Sequence, residues 1–162
     1  YEEARYEGFG PGNSTIIVDC LTDNTNRSYT NVKTAFNKCH DAKLAGAGAV
    51  SFGYEKVGLF CFPYTDEEKM LDAMMEAEVD VLDLAAEDGK MTVKTAFTDF
   101  AKAQDAIEKL LPDVQFDICE VTMLANETVM LTNEEDKASM QKLLDMLNDI
   151  EDVNKIYTNV VE

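Results

Sequence analysis

The side chains in this sequence that could do chemistry are one histidine, four cysteines and thirty-two carboxylates. His40 follows a helical pattern, where an imidazole caps carbonyls or faces water more readily than it abstracts a proton. With that single histidine no Ser-His-Asp arrangement can be built, and no nucleophile elbow is present. Cys20, Cys39, Cys61 and Cys119 make no C-x-x-C pair. Cys20 and Cys119 lie in alternating apolar runs, as buried reduced thiols of a reducing compartment would. Gly8-Phe9-Gly10-Pro11-Gly12 leads into a strand and lacks a lysine-hydroxyl ending, so it has no helix terminus to hold a phosphate. Glu134-Glu135-Asp136 suits the first turn of a helix. Asp149-Ile150-Glu151-Asp152 could hold a hard cation weakly, but it lacks the spacing of a calcium loop and reads as a solvated turn. The residues specify no reaction, no metal and no cofactor, and the expectation is a non-enzymatic protein.

Binding chemistry is better represented. Thr22-Asp23-Asn24-Thr25-Asn26-Arg27-Ser28 joins an apolar strand to a helix and is dense in hydrogen-bonding groups. Asp23, Asn24 or Thr25 can cap that helix. Arg27 is one of only 14 cations in the chain, followed by Lys33, Lys38 and Lys43 along or just beyond the same helix. Lys33, six positions on, is not quite on the face of Arg27. The expectation is a modest basic stripe able to meet phosphate or an acidic partner, with Asn24, Asn26, Arg27, Lys33 and Lys38 as the contact residues. The chain as a whole opposes this, because a net charge of −18 repels nucleic-acid backbones at long range and favours a basic protein partner.

The elements that must position these groups follow from periodicity. Residues 3–8 and 14–21 read as strands, and a helix over 27–39 buries Tyr29, Val32, Phe36 and Cys39. A strand over 49–54 follows Gly46 and Gly48. Next come a strand at 57–62 and a helix opened by the capping box Thr65-x-x-Glu68, with Met70, Leu71, Met74 and Ala77 on its face. Strands carrying Val79, Val81 and Leu84, then Met91 and Val93, flank an Asp88-Gly89 hairpin. Thr95 is placed to cap a helix that ends near Pro112, and Phe116, Ile118 and either Cys119 or Val121 alternate in a last strand. That order is β-α-β-β-α-β, the ferredoxin-like arrangement, complete within about residues 57–121. The flanks add a strand near 128–131, a helix from the box Thr132-x-x-Glu135 burying Met140, Leu143, Leu144 and Leu147, and a strand at 153–157. Neither flank covers its own faces alone. The expected fold is therefore α+β with two lobes, a ferredoxin-like unit (57–121) inserted into a discontinuous α+β domain (1–56 plus 122–162). No apolar run is long enough for a membrane helix, and Tyr1 suggests a chain lacking its natural beginning.

Two segments also resemble a known family. Glu7-Gly8-Phe9-Gly10-Pro11 and Asp23-Asn24-Thr25-Asn26-Arg27-Ser28 are similar to the Glu-Gly-aromatic-Gly-Pro and Asp-Asn-x-Asn-Arg-Thr signatures of YebC proteins. On that basis Glu7, Gly8, Gly10, Pro11 and Asp23 form a signature loop. The likeness continues through Val32-Lys33, Phe36-Asn37-Lys38, Gly48 to Phe52, Lys56-Val57-Gly58, Leu143 to Leu147 and Asp152 to Asn159, essentially the whole chain. It departs at Cys39-His40, where the family usually has two glycines, at Gly48-Ala49-Val50 in place of Gly-Ser-Val, and at the loop 41–47, which is about two residues longer.

The resemblance implies a three-domain protein whose N-terminal helical domain, rich in lysine and arginine, is absent here. It implies DNA-linked transcriptional regulation for some members and ribosome-linked translation for others, both without catalysis. The expected partner is nucleic acid, DNA or ribosomal RNA, gripped mainly by the missing domain, with a protein partner for the acidic lobes. The expected location is the cytoplasm, or the mitochondrial matrix for a eukaryotic member. A small-ligand-sensing module is the remaining alternative.

Overall fold

The computed structural model describes all 162 residues of the chain. In chain order the first elements are β1 (Glu2–Phe9), β2 (Thr15–Thr22), α1 (Thr25–Asn37) and β3 (Lys43–Ala45). They are followed by β4 (Tyr54–Pro63), α2 (Glu67–Glu76), β5 (Val81–Glu87), β6 (Lys90–Ala96), α3 (Phe100–Leu110) and β7 (Ile118–Ala125). The last are β8 (Val129–Met130), α4 (Glu134–Asn148), β9 (Val153–Thr158) and β10 (Val160–Val161). The chain is α+β, with two four-stranded sheets and four helices, and divides into two compact units, 1–55 with 124–162 and 56–123. No helix is long and apolar enough to cross a membrane.

The first unit has sheet order β3-β1-β2-β9, antiparallel at every step. β2 is its centre because β-branched Ile16, Ile17 and Val18 suit a strand paired on both sides. Ile16, Val18 and Cys20 point to one face and meet Val32, Ala35 and Phe36 of α1 and Met140, Leu143 and Leu147 of α4, all buried. Each such aliphatic or aromatic side chain contributes roughly 1.5–3 kcal/mol by leaving water. Met140, Leu143 and Leu147 therefore fix the inward face of α4, and Leu144 flanks that core.

In the second unit the order along the sheet is β5-β6-β4-β7. Phe60, Phe62, Met91 and Val93 face Met70 and Met74 of α2 and Ala103 and Ile107 of α3. Phe60 stacks on Phe100 at 5.0 Å, and Phe62 meets Phe116 edge-on at 5.7 Å. Asp88 and Gly89, both at positive φ, make the two-residue turn between β5 and β6.

Several local expectations are corrected by the structure. Both proposed capping boxes sit one residue early. Asp66, not Thr65, accepts from the Lys69 N–H at 3.0 Å, and Asn133, not Thr132, accepts from Asp136 at 2.7 Å. In each case a second capable oxygen stood next to the first and reached the helix N–H. Thr95 is no cap either. It is buried within β6 opposite Gly58, and α3 begins five residues later after a 3-10 turn at Phe97–Asp99. Residues 51–53 form a 3-10 turn rather than a strand, because a distant carboxylate takes the Gly48, Val50 and Ser51 N–H groups and the Gly53 N–H turns back to the Val50 carbonyl. Tyr29 and Leu71 are 46% and 40% exposed, each at the edge of its helix's buried stripe. Cys119 rather than Ile118 packs against the second core. The helix α1 spans 25–37, two residues earlier than its periodicity suggested, and the short edge strand β3 was not foreseen. Cys20 and Cys39 are buried, whereas Cys61 and Cys119 are half-buried. Burial pushes the Cys20 thiol up to about 11, where it stays protonated at neutral pH.

Candidate functional site

The signature residues gather in the first unit, around the two ends of α1. At its N-terminus Asn24 is the cap, its side chain accepting from the Arg27 N–H at 3.1 Å. Thr22 Oγ1 in turn accepts from the Asn24 N–H at 3.0 Å, so the turn out of β2 is held from both sides. Asn24→Ala is expected to lower stability by about 1 kcal/mol, read from the urea midpoint.

Arg27 leaves this turn and forms a fork. Nε and Nη2 donate to the two carboxylate oxygens of Asp152 at 3.0 and 2.8 Å, and Nη2 also donates to Asp23 at 2.7 Å. The bidentate geometry suits a guanidinium and not an ammonium. Hydrogen bonding from Arg27 holds the nearly buried Asp152 carboxyl below the usual carboxylate range. The same bonds to Asp152, then to Asp23, raise the guanidinium further. The consequence for binding is plain: the Arg27 charge is already matched by two carboxylates. A phosphate would have to displace them.

Glu7 is placed by β1 beneath the loop that follows β3. Only 4% exposed, it accepts N–H bonds from Gly48 at 2.7 Å, Val50 at 3.0 Å and Ser51 at 2.6 Å. Burial pushes the Glu7 carboxyl up, but these three donors outweigh it and leave it below its ordinary value. Gly8 permits close approach: a Cβ there would stand 2.5 Å from the Phe36 ring and 2.9 Å from the Lys43 carbonyl. At Gly10 a Cβ would meet Ser14 and Ile16, and buried Pro11 opens the 3-10 turn between β1 and β2. Asp23, Glu7, Gly8, Gly10 and Pro11 are thus tied into the architecture of the first unit.

The expected basic stripe is divided by this geometry. The buried stripe of α1 is Ser28, Val32, Ala35 and Phe36. Arg27 and Lys38 lie on the α4 side of it: Arg27 is bound to Asp152, and the Lys38 carbonyl accepts from Lys142 at 2.8 Å. Lys33 lies on the other side with Tyr29 and Asn37, at four-residue steps, and its Nζ stands 5.8 Å from the Tyr29 ring centroid. There it borders a concavity of about 640 Å³ shared with Arg5, Tyr6, Lys43 and the chain of residues 44–47. Asn26 is exposed on the first turn of α1. Arg5 and its fixed pairing with Asp19, at 2.7 and 2.9 Å, escaped the sequence reading. The signal was the cross-strand register of β1 and β2, which pairs the two directly. His40 is exposed, with Nε2 3.1 Å from Glu135 and 3.2 Å from Asp41, and it caps no helix.

The chain is similar to known proteins over nearly its whole length. A family described as the second and third domains of TACO1/YebC matches residues 1–160. A "Probable transcriptional regulatory protein" of Marinobacter nauticus is 45% identical over 159 residues, covering 98% of this chain and 65% of the relative. One of the same description from Marinomonas is 43% identical over 98% of this chain and 66% of its own length. A crystal structure of a conserved hypothetical protein from Aquifex aeolicus, Aq1575, superposes with a TM-score of 0.77 at 28% identity, over 99% of this chain and 65% of that one. The chain therefore spans just under two thirds of the length of these relatives. Matched from residue 1 to residue 160, it belongs to the TACO1/YebC family.

Proposed function

We propose that this chain is the non-catalytic body of a YebC-type gene-expression regulator, acting in DNA-linked transcriptional control in the cytoplasm. The observation that carries the reading is the distribution of charge. Thirty-two acidic residues face 14 basic ones, and the signature arginine is itself saturated by Asp23 and Asp152. Such a surface gains little counterion release from a duplex, so the main grip on nucleic acid belongs to residues outside these two units. We assign that role to the basic N-terminal helical domain that the family resemblance implies. The two units then position that domain and offer an acidic face to a basic protein. The relatives' description as probable transcriptional regulatory proteins favours DNA as the target.

The same acidity also suits a ribosome-associated translation factor, which meets basic ribosomal proteins while another domain meets RNA. Co-sedimentation of the full-length parent with ribosomes, with and without competitor duplex DNA, separates the two. On the transcription reading DNA strips the parent from the ribosomes, or it never pellets. Pelleting that survives competitor moves the function to translation. In parallel, the 162-residue chain is expected to bind duplex DNA no more tightly than about 10⁻⁴ M at physiological salt. Tight binding with a steep salt dependence would overturn the division of labour. A ligand-sensing role predicts instead a rise in Tm with one member of a metabolite panel.

The second unit is proposed to be a ferredoxin-like domain inserted into a discontinuous one. Its β-α-β-β-α-β order and β5-β6-β4-β7 sheet support this. Limited proteolysis that releases a protected fragment near residues 56–123 is the expected result.

A further inference from the structure

The concavity on the Lys33 side of α1 departs from the rest of the surface. In a chain with more than two acids for each base, its lining brings together Arg5, Lys33 and Lys43. The one acid among the lining residues is Glu7, whose carboxylate is buried and consumed by three backbone N–H groups. Asp19, beside the rim, fixes Arg5 through two hydrogen bonds. Lys33 and Lys43 are exposed and carry no ion pair. Beside them stands an aromatic surface. Tyr29 is 46% exposed, its ring braced against Tyr6 at 6.1 Å and flanked by the Lys33 ammonium.

We infer that this concavity binds one unpaired nucleotide of a single-stranded or looped nucleic acid, its base stacked on Tyr29 and its phosphate met by Lys33 and Lys43. An exposed ring with an adjacent cation is the pairing that single-strand binders use, because every base offers a π-face and every linkage a phosphate. A duplex presents convex, stacked base pairs and cannot enter a recess of about 640 Å³. The surrounding negative charge confines the contact to a short segment. One neutralised phosphate sets a shallow salt dependence, with a slope of roughly −0.7 in log K against log salt. The inference deepens the gene-regulatory reading above, from which it takes only the class of ligand.

The test is titration of the 162-residue chain, by NMR or calorimetry, with a six-nucleotide RNA, the same DNA sequence, its blunt duplex and a phosphopeptide of equal charge. The expected result is single-strand binding at least tenfold tighter than duplex or phosphopeptide. Tyr29→Ala should weaken it about tenfold and Tyr29→Phe hardly at all. The pair Lys33→Gln with Lys43→Gln should flatten the salt slope towards zero. All three side chains are exposed, so each variant is expected to fold, which circular dichroism checks. Should Tyr29→Ala not fold, the lysine pair decides alone. Absence of single-strand binding, equal binding by the tyrosine variants, or preference for the phosphopeptide overturns the inference. Duplex binding within tenfold of the single-strand affinity also overturns it, whereas duplex binding that is tight and steeply salt-dependent but still tenfold weaker supports it and sinks only the division of labour proposed above. RNA and DNA arms tell which sugar the recess accepts.

Discussion

Phe36→Ala is expected to lower the stability of the first unit by about 4 kcal/mol, seen as a lower urea midpoint with little change in slope. Phe36 is fully buried among Val32, Ile16, Val18 and the apolar face of α4. Its loss removes the transfer energy of an aromatic ring and leaves a cavity that close-packed neighbours fill only in part. The ring also lies against the backbone of Gly8, where a Cβ would come within 2.5 Å. The converse substitution, Gly8→Ala, therefore overpacks the same contact, at a cost of about 1–3 kcal/mol. Coupling is expected between the two: Gly8→Ala should cost less in a Phe36→Leu background than in the native chain. Simple additivity in that double-mutant cycle would show that the contact is not the source of the glycine requirement.

Glu7→Ala should cost about 3 kcal/mol, because it removes a charged acceptor from three N–H groups at once. The Val50 N–H carries most of this, since Val50 is 2% exposed and water cannot replace the lost partner. The effect depends on pH with a definite sign. The native carboxyl titrates below its ordinary value of 4.5 because the three donors favour the ionised form. The stability it contributes is therefore present above pH 4.5 and is lost as pH falls through the lower native value. Measured against pH, the native protein should lose stability on acidification more steeply than Glu7→Gln. The two curves should converge in strong acid. A Glu7→Gln curve parallel to the native one throughout would remove Glu7 from the acid response.

Where the sequence read correctly, local rules were sufficient. Alternation around Ile16 to Cys20, the Asp88-Gly89 turn and the helical spacing of Met70 with Met74 each follow from neighbours a few residues away. The α+β composition follows from these. Two of the misreadings have a common origin in partners distant along the chain. Residues 49–54 looked like a strand because their apolar content suits one. Nothing nearby announces that Glu7, more than forty positions earlier, takes the N–H groups of Gly48, Val50 and Ser51. Arg27 looked like a free cation for the same reason, since Asp152 lies 125 residues away. The Lys33 recess was half visible. Its lysines were noticed, but Arg5 joins them only through a strand register that the sequence does not state. The caps failed differently. Thr65-Asp66 and Thr132-Asn133 each place two capable oxygens side by side, and a one-residue choice between them rests on the approach of the chain.

The order in which the strands of the first sheet occur along the chain bears on its synthesis. β2 gains its first neighbour at once, from β1, but its second, β9, lies beyond the whole of residues 56–123. During translation at about 5–20 residues per second, β2 therefore waits for several seconds with one edge open. That edge belongs to Ile16, Ile17 and Val18, an apolar β-branched run of the kind that recruits foreign strands. The second unit, continuous in sequence, can complete itself within that interval. Once it has, its neighbouring strands β4 and β7 draw the two halves of the first unit together and shorten the loop that β9 must still close. Defects in the second unit should accordingly appear first as aggregation of newly made chains, with the damage seated in the sheet of the first unit.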